Sequence, residues 1–215
     1  ALFNFFVSDF PELAGLTFSF ADNFTIAATN HDIQALTDSL NEALVEITAW
    51  AERKKLVIAP DKSNVILFTP DPHQSKLQPQ VKLDDTLILL NKATKILGII
   101  LDTFLNFSAH TDDLKARASR RLQILKALAG SAWGQDKETL LRTYCSLIRP
   151  LLNYACQIWY PNASKTSIKK LQVVPNHALH IATGCHKMSS IQHLHSECKM
   201  LPVDNHLKLL CDQFL

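Results

Sequence analysis

The chain has 215 residues, of which 47% are hydrophobic and 20% are charged, and its formal net charge is +2. This composition is typical of a globular protein and excludes extensive disorder, and the longest apolar run, residues 96–101, is too short to cross a membrane. The chain begins with Ala rather than Met and has no signal-peptide pattern, which predicts a fragment of a longer, intracellular protein.

The charges are unevenly distributed along the chain. Residues 1–113 contain 15 acidic and 8 basic residues, whereas residues 114–170 contain 2 acidic and 11 basic residues. Acidic clusters can bind metal ions and basic surfaces can bind phosphate, but both can also be solvated helix faces. The charge pattern alone leaves these two interpretations open.

The N-terminal half has the pattern of a mixed α and β structure. Two β-prone runs, residues 16–20 and 24–28, flank the turn-prone Ala21-Asp22-Asn23, which predicts a hairpin. Asp32 or Thr29 can cap the helix that follows, because both side chains accept hydrogen bonds from free amides. The apolar stripe of this helix is predicted to comprise Ile33, Leu36, Leu40, Leu44, Ile47 and Trp50.

Further strands are predicted before the middle of the chain. Residues 56–58 and 65–68 have β-prone composition on either side of Pro60-Asp61-Lys62. Residues 70–80 contain three prolines and are predicted to be a loop. Residues 86–90 and 95–101 are then predicted to form a pair of strands.

The rest of the chain has a helical pattern. A helix is predicted to begin at Thr111 or Asp112 and to end at Gly130, since Gly commonly ends helices in a left-handed conformation. The next helix is predicted to begin near Asp136. Pro150 must end or kink it, because proline lacks the amide that continues the hydrogen-bond ladder.

The C-terminal region is predicted to contain another long helix. This helix is expected to start near Ser164 or Thr166 and to end at Gly184. Pro175 is expected to interrupt it. Shorter helices are predicted from Ser190 onward.

The most informative segment is Phe20-Ala21-Asp22-Asn23, which lies between two β-prone runs. It resembles the [FY]-A-D-D hairpin of reverse transcriptases, although an Asp-Asn turn is also common in ordinary hairpins. Other segments resemble the reverse transcriptases of non-LTR (LINE-type, jockey-like) retrotransposons, in the same order along nearly the whole chain. They include Leu2-Phe3-Asn4, Ser8-Asp9-Phe10-Pro11, Ile58-Ala59-Pro60-Asp61-Lys62-Ser63, Lys95-Ile96-Leu97-Gly98, His110, Ser119-Arg120-Arg121-Leu122, Trp133-Gly134, Ile148-Arg149-Pro150-Leu151-Leu152-Asn153-Tyr154 and Trp159-Tyr160-Pro161.

The resemblance implies an α+β fold, with a partial reverse-transcriptase palm of antiparallel hairpins and a helix followed by an all-helical thumb. Residues 1–110 are expected to be the partial palm, residues 111–184 the thumb, and residues 185–215 a helical C-terminal extension. The N-terminal fingers, and the palm strand that carries the first catalytic Asp, are expected to belong to a preceding part of the parent protein.

The resemblance also implies RNA-directed DNA polymerase activity. The partners would be a duplex of RNA template and DNA primer together with deoxynucleotides, and no membrane is expected. Two Mg²⁺ ions in the intact parent enzyme would activate the attacking oxygen and stabilise the leaving oxygen. Such a retrotransposon protein would be found in the nucleus and the cytoplasm.

Three positions would be catalytic according to the resemblance. Asp22 would be a metal ligand, because Mg²⁺ requires hard oxygen ligands. Asn23 stands where the family usually has Asp, and its amide keeps one oxygen but lacks the charge. Lys62 stands where the family has a Lys that would protonate the departing pyrophosphate, and the alternative is a surface Lys after a Pro-Asp turn.

Two further regions would contact nucleic acid. Leu97 and Gly98 would form the primer grip, whereas the alternative is a buried strand with a glycine bulge. The helix predicted at residues 112–130 would contact duplex phosphates without reading sequence, and the alternative is a solvated face. Its basic residues are Lys115, Arg117, Arg120, Arg121 and Lys126.

The same residues limit what this chain is expected to do by itself. One carboxylate and one amide cannot hold two Mg²⁺ ions, so we predict that these 215 residues alone do not polymerise DNA. The alternatives to a polymerase segment are a non-catalytic nucleic-acid-binding relic and a decayed retrotransposon reading frame. The five cysteines are predicted to be reduced, and the spacing of the C-terminal Cys and His residues does not match a zinc motif.

Overall fold

The computed structural model describes residues 5–13, 15–130 and 134–214. Two parts of the sequence resemblance, Leu2-Phe3-Asn4 and Trp133, lie outside the described residues. All of the candidate catalytic, grip and basic residues lie within them.

The chain divides into two compact units, residues 1–92 and 93–215. The predicted mixed α+β fold is confirmed. Antiparallel hairpins and a long helix lie in the first unit, and one hairpin followed by helices lies in the second. The predicted domain bounds, residues 1–110, 111–184 and 185–215, follow the resemblance and stay a prediction.

The first unit begins with the predicted hairpin. Strands β1 (Leu16–Phe20) and β2 (Asn23–Ala27) are antiparallel and joined by the two-residue turn Ala21-Asp22. Ala21 has a left-handed φ of 53°. A positive φ in a two-residue turn matches the twist of the strands, and it costs a non-glycine residue about 1 kcal/mol.

The two faces of this hairpin have different surroundings. Alternate residues of a strand point to opposite faces. Leu16, Phe18 and Phe20 share one face, and each is between 58% and 67% exposed. Phe24 pairs with Ser19 on the other face and stacks on Phe10. The apolar residues of β1 therefore lie on the exposed face.

Helix α1 (Ile33–Arg53) begins at Asp32, one of the two predicted caps. The Asp32 carboxylate accepts a hydrogen bond from the backbone N–H of Gln34 at 3.1 Å. A cap of this kind typically stabilises a helix by about 1 kcal/mol. The predicted apolar stripe includes Ile47 and Trp50, which are both buried.

The same stripe helps to form a small core in the first unit. Val81, Leu83 and Ile88 are buried together. Leu40 and Leu44 pack against this group. The spacing of apolar residues in the sequence thus identified the side of α1 that contacts the rest of the unit.

The strands predicted at residues 56–58 and 65–68 are wrong. Neither run joins a sheet, and in the second run only Val65 makes an isolated bridge, to Leu90. The side chain of Val57 is 94% exposed. Leu56 and Ile58 are half-buried, and Ile58 packs against the core of this unit, but no strand pairs with residues 56–58 in the described part of the chain. A β-prone run that fits a half-buried surface still needs a neighbouring strand to form a sheet.

The predicted pairing of residues 86–90 with residues 95–101 is also wrong. Instead, β3 (Lys82–Leu83) and β4 (Thr86–Leu87) form a short hairpin of their own. The run at 95–101 is not one strand, because it folds back on itself at Leu97-Gly98.

The second unit begins with this hairpin. Strand β5 (Ala93–Ile96) pairs with β6 (Ile99–Asp102) in antiparallel register. Leu97 has a φ of 47° and Gly98 a φ of 87°. Two successive positive φ values are the requirement of a type I′ turn, which is the favoured two-residue connection between antiparallel strands.

The remainder of the second unit is helical. Its helices are α2 (Ser108–Leu128), α3 (Lys137–Leu147), α4 (Arg149–Asn153), α5 (Cys156–Trp159), α6 (Lys165–Thr183), α7 (Ile191–Glu197) and α8 (Val203–Asp212). Asp136 caps α3 as predicted, accepting a hydrogen bond from the Thr139 N–H at 3.0 Å. Ser164 caps α6, and Gly184 ends it with a left-handed φ of 66°.

The two helix prolines behave differently. Pro150 ends a helix as predicted, since α3 stops at Leu147 and Pro150 lies in the first turn of α4. The expectation that Pro175 interrupts α6 is wrong, because the helix continues through it. Val174 and Ala178 are buried beside Pro175. Packing of this apolar face offsets the hydrogen bond that proline cannot make.

The main core of the second unit lies between its helices. Ala118, Trp159, Leu171 and Ala178 have no exposed surface. Burial of such apolar surface is the main stabilising contribution to a domain of this size. The five cysteines are free thiols. Among the helices that the structure describes, none is both long and apolar enough to cross a bilayer.

Candidate functional site

Asp22 and Asn23 lie at the exposed tip of the β1–β2 hairpin. The Asn23 side-chain amide donates a hydrogen bond to Oδ1 of Asp22 at 3.3 Å. Asn23 is paired with Phe20 as the first residue of β2, so its position is fixed by the strand ladder. The hairpin therefore presents a carboxylate and an amide oxygen side by side to solvent.

An aromatic cluster fixes the other face of this hairpin. Phe24 stacks on Phe10 with ring centroids 4.6 Å apart, and both rings meet Trp50 edge-to-face. The Trp50 indole N–H donates to the carboxylate of Asp9 at 3.3 Å, and Lys54 pairs with that carboxylate at 2.9 Å. The hydrogen bond from Lys54 lowers the pKa of Asp9. This cluster joins the hairpin to α1.

Asp22 and Asn23 are the candidate metal ligands of this hairpin. Across the described residues, no group of three or more His, Cys, Asp or Glu side chains is arranged to hold a metal ion. Mg²⁺ requires near-octahedral oxygen coordination and is usually held by one or two carboxylates with waters and substrate phosphates. The hairpin can supply one such carboxylate, so the residues present do not make a two-metal centre.

Lys62 is exposed at the end of a short 3₁₀ turn. Its backbone N–H and the Ser63 hydroxyl both donate to the carbonyl of Ala59, at 3.1 and 3.0 Å. In the described structure no hydrogen bond or ion pair joins Lys62 to Asp22. The structure does not bring these two predicted catalytic residues into contact.

The predicted grip residues form the exposed tip of the β5–β6 hairpin. The side chain of Leu97 is 54% exposed. The hydroxyl of Tyr154 donates to the Leu97 carbonyl at 2.8 Å. A Cβ atom on Gly98 would lie 3.2 Å from the Tyr154 ring. The buried-strand alternative does not hold, because both residues belong to a turn that needs glycine for its φ and for its close contact.

A second contact holds the same hairpin nearer its base. The backbone N–H of Ile100 donates to Nδ1 of His110 at 3.3 Å. His110 is fully buried, and its ring meets Trp159 edge-to-face at 5.6 Å. Since Nδ1 accepts a hydrogen bond, the proton of the neutral ring is on Nε2. The sequence resemblance pointed to His110 only as a matching residue, and its contact with β6 was not predicted.

Burial lowers the pKa of His110, and the positive charges of Arg117 and Lys95 lower it further, while Asp113 acts in the opposite direction. The folded protein therefore favours the neutral ring. Protonation of Nδ1 would also remove the hydrogen bond from Ile100. The hairpin and the charge state of His110 are thus linked.

We expect the free energy of unfolding to fall as the pH is lowered below about 6.5. The unfolded chain binds a proton at His110 near its ordinary pKa of 6.5, whereas the folded chain resists it until a lower pH. The stabilisation by neutral His110 is therefore fully present above pH 6.5 and is lost as the pH falls through the pKa of His110 in the folded chain. Urea denaturation between about pH 8 and about pH 5 measures it.

His110→Gln is expected to remove part of this pH dependence. His31→Gln, at an exposed position, is the matched control and should leave the dependence unchanged. His206 is a second histidine whose pKa is lowered by burial, so some dependence should persist in His110→Gln. If the free energy of unfolding of His110→Gln depends on pH as steeply as that of the wild type, His110 does not contribute to the dependence.

The predicted basic residues of α2 do not share one face. At about 100° per residue, Lys115 and Lys126 lie on one flank of the buried face, and Arg117 and Arg121 lie on the other. Arg120 points away from the core, where it is exposed. Helix geometry therefore spreads the five basic residues around the polar side of α2, on its two flanks and its outward face.

Two of these five side chains already have partners. Arg117 pairs with Asp113 at 3.0 Å. The guanidinium of Arg121 donates to the carbonyl of Leu147 at the end of α3. The ion pair offsets the charge of Arg117, whereas the hydrogen bond fixes the position of Arg121 but leaves its charge and its other N–H donors free.

The other three cations have no ion-pair partner in the described chain. Lys115, Arg120 and Lys126 are exposed or half-exposed. Two exposed lysines on α6, Lys165 and Lys169, add to the positive charge of this unit and were not predicted as site residues. The spacing of lysines at residues 165–170 was a visible signal for them.

Comparison with known proteins gives relatives of one kind. The chain is 26% identical over 185 residues to "Probable RNA-directed DNA polymerase from transposon X-element" of Drosophila melanogaster, a match that covers 86% of this chain and 20% of the relative. It is 23% identical over 223 residues to "RNA-directed DNA polymerase from mobile element jockey" of the same species, covering 100% of this chain and 24% of the relative.

A third relative is "Retrovirus-related Pol polyprotein from type-1 retrotransposable element R1 3" of Nasonia vitripennis, at 20% identity over 154 residues. This match covers 70% of this chain and 40% of the relative. No protein-family model matches the chain, and no solved structure matches it.

The chain is homologous to the RNA-directed DNA polymerases of non-LTR retrotransposons. The predicted resemblance is therefore confirmed. The chain spans only about a fifth of the X-element protein's length. Its match to the jockey polymerase extends over the whole chain, so the Asp22 hairpin, the Leu97-Gly98 turn and α2 all lie within homologous sequence.

Proposed function

We propose that this chain is part of the palm and thumb of a non-LTR retrotransposon RNA-directed DNA polymerase. The observation that supports it best is the Asp22 carboxylate at the exposed tip of a two-residue hairpin, within a sequence homologous to such polymerases. The substrates of the whole enzyme would be an RNA template, a DNA primer and deoxynucleotides.

In this proposal Asp22 is the metal ligand that the chain contributes. Bound Mg²⁺ would supply activation of the primer hydroxyl and stabilisation of the leaving oxygen. The remaining ligands must come from residues beyond this hairpin, since Asn23 is uncharged. Asn23 also donates a hydrogen bond to one oxygen of Asp22. This bond orients the carboxylate and occupies one of the sites at which the oxygen could bind a metal.

Lys62 is proposed as the proton donor to the departing pyrophosphate. Its side chain is exposed, and no ion-pair partner is seen for it in the described part of the chain, so its ammonium is available to a phosphate. Leu97 and Gly98 are proposed to hold the primer end, because the exposed turn places both residues at a surface.

The second unit, residues 93–215, is proposed to bind the duplex of template and primer. Lys115, Arg120 and Lys126 are the residues of α2 best placed for phosphate contacts, since Arg117 is ion-paired with Asp113 and the side chain of Arg121 is held against the Leu147 carbonyl. Phosphate contacts of this kind hold a duplex without reading its sequence.

We expect the chain to bind an RNA–DNA duplex with an affinity that falls as salt rises, because each phosphate contact releases counterions. Replacing both Lys115 and Lys126 by Ala should reduce the slope of log affinity against log salt by about 2, roughly one for each lost contact. Fluorescence anisotropy between about 50 and about 200 mM salt measures the slope.

A charge-matched control is available in the same unit. Lys187 and Lys208 are exposed outside α2, and replacing both by Ala removes the same charge. This control should leave the slope nearly unchanged. Binding that does not depend on salt, or an equal effect of the two double variants, would count against the proposed surface.

A non-catalytic nucleic-acid-binding relic is the second candidate. The neutral Asn23 beside Asp22 favours it, because one carboxylate holds a metal less well than two. Both candidates predict duplex binding. Only the polymerase predicts that restoring the second carboxylate affects chemistry.

A further inference from the structure

Two hydrogen bonds to the helical part of the second unit hold the β5–β6 hairpin. Near its base, the Ile100 N–H donates to His110. At its tip, the hydroxyl of Tyr154 donates to the Leu97 carbonyl at 2.8 Å. The tip contact is the one that touches the residues proposed to hold the primer.

The ring of Tyr154 also packs against the turn. A Cβ atom placed on Gly98 would lie 3.2 Å from Cε1 of Tyr154 and 3.7 Å from its hydroxyl oxygen. The turn thus lies directly against the ring, and only glycine allows this distance without displacement. Both the hydroxyl and the ring of Tyr154 therefore limit where the turn can lie.

The position of Tyr154 is itself fixed by its backbone. The indole N–H of Trp159 donates to the Tyr154 carbonyl at 3.0 Å, and the Tyr154 N–H donates to the carbonyl of Pro150 at 3.0 Å. Trp159 is fully buried. Ala155, the next residue, has a left-handed φ of 48° and begins a new helix. Tyr154 therefore stands on a rigid junction between α4 and α5.

The hydrogen bond to Leu97 sets the direction of a peptide group. In a trans peptide the C=O and the following N–H point in opposite directions. Because the Leu97 carbonyl points to Tyr154, the Gly98 N–H points away from it. The Gly98 N–H has no hydrogen-bond partner among the described residues.

We propose that Tyr154 is a positioning residue, which sets the place and orientation of the Leu97-Gly98 turn against bound nucleic acid. The inference rests on the proposed function, in which this turn contacts the primer end. Tyr154 need not touch the nucleic acid itself, since it acts through the turn.

Tyr154→Phe tests this inference, because it removes the hydroxyl and keeps the ring. Tyr160→Phe is the matched control. Tyr160 also donates a hydroxyl hydrogen bond, to Asp204 at 2.8 Å, so both variants lose one hydroxyl contact in the same unit. A purely structural role would give the two variants similar behaviour.

The measurements are duplex affinity by fluorescence anisotropy and the amide NMR signal of Gly98 in the 215-residue chain. We expect Tyr154→Phe to shift the Gly98 signal and to weaken binding of an RNA–DNA duplex by about three- to tenfold, the factor typical of one neutral hydrogen bond. Tyr160→Phe should change neither.

The outcomes separate this inference from the function on which it rests. A wild-type chain that binds no duplex would overturn the proposed function, and the inference with it. A wild-type chain that binds duplex, with equal affinities for Tyr154→Phe and Tyr160→Phe, would overturn the inference alone. Weaker binding by Tyr154→Phe without a shifted Gly98 signal would also overturn it, because the turn would then not be involved.

Discussion

Asp22→Ala is expected to lower primer extension by about 100- to 1,000-fold in a chimaera that carries residues 16–27 of this chain in place of the matching hairpin of the Drosophila melanogaster jockey polymerase. Within residues 16–27 Asp22 is the only charged side chain, so the substitution removes the one carboxylate that the hairpin offers to a metal. Loss of a metal ligand removes a few kcal/mol of transition-state stabilisation, and about 1.4 kcal/mol corresponds to a factor of ten. Single-nucleotide incorporation on an RNA template measures the rate.

Two variants of the same chimaera serve as controls. Asn23→Asp should raise the rate by about tenfold or more, because a second carboxylate strengthens metal binding. Ser19→Ala, at another exposed position of the hairpin, should leave the rate unchanged. A chimaera whose rate is the same with and without the Asp22→Ala substitution would contradict the role of Asp22. The isolated 215-residue chain should show no primer extension. Extension by the isolated chain that is abolished by Asp22→Ala would contradict the prediction that its residues are too few to hold two Mg²⁺ ions.

Trp159→Ala is expected to lower the free energy of unfolding of the second unit by about 3–5 kcal/mol. Trp159 has no exposed surface, and its ring meets His110 and Tyr160 edge-to-face. The substitution also removes the hydrogen bond to the Tyr154 carbonyl. Because domains of this size are stable by about 5–15 kcal/mol, the loss should be visible in urea denaturation followed by circular dichroism.

Ile158→Ala is the neighbouring control. Its side chain is 55% exposed, so truncation should cost less than about 1 kcal/mol. The two substitutions change adjacent positions in the same helix and differ mainly in burial. Equal losses from the two would mean that Trp159 is not a central element of this core.

The parts of the fold that depend on residues close together in the sequence were predictable. The β1–β2 hairpin, the Asp32 cap and the end of a helix before Pro150 each follow from signals within a few residues. The strands predicted at residues 56–58 and 65–68 failed because a strand needs a partner, and a short β-prone run does not show whether one is present. The prediction for Pro175 failed for a related reason, since burial on both sides outweighed a local helix-breaking preference.

The location of the candidate site residues was predictable in part. Asp22, Asn23, Leu97 and Gly98 belong to local motifs, and the structure places them at hairpin tips, whereas their roles stay predictions. The sequence did not reveal the contact of Tyr154 with Leu97, because it joins residues 57 positions apart. Nor did it show that Arg117 and Arg121 are engaged within the protein, because composition counts charges without their partners.

The outward apolar face of β1 makes residues 15–21 a place where copies of this chain are expected to associate. This run has high β-propensity and contains no charge and no proline, which are the features of segments that add to one another as strands. Asp22 follows it directly and places a negative charge at its end. Charges in this position act as gatekeepers against aggregation. Substitution of Asp22 by an uncharged residue is therefore expected to lower the solubility of the chain as well as to remove the proposed metal ligand.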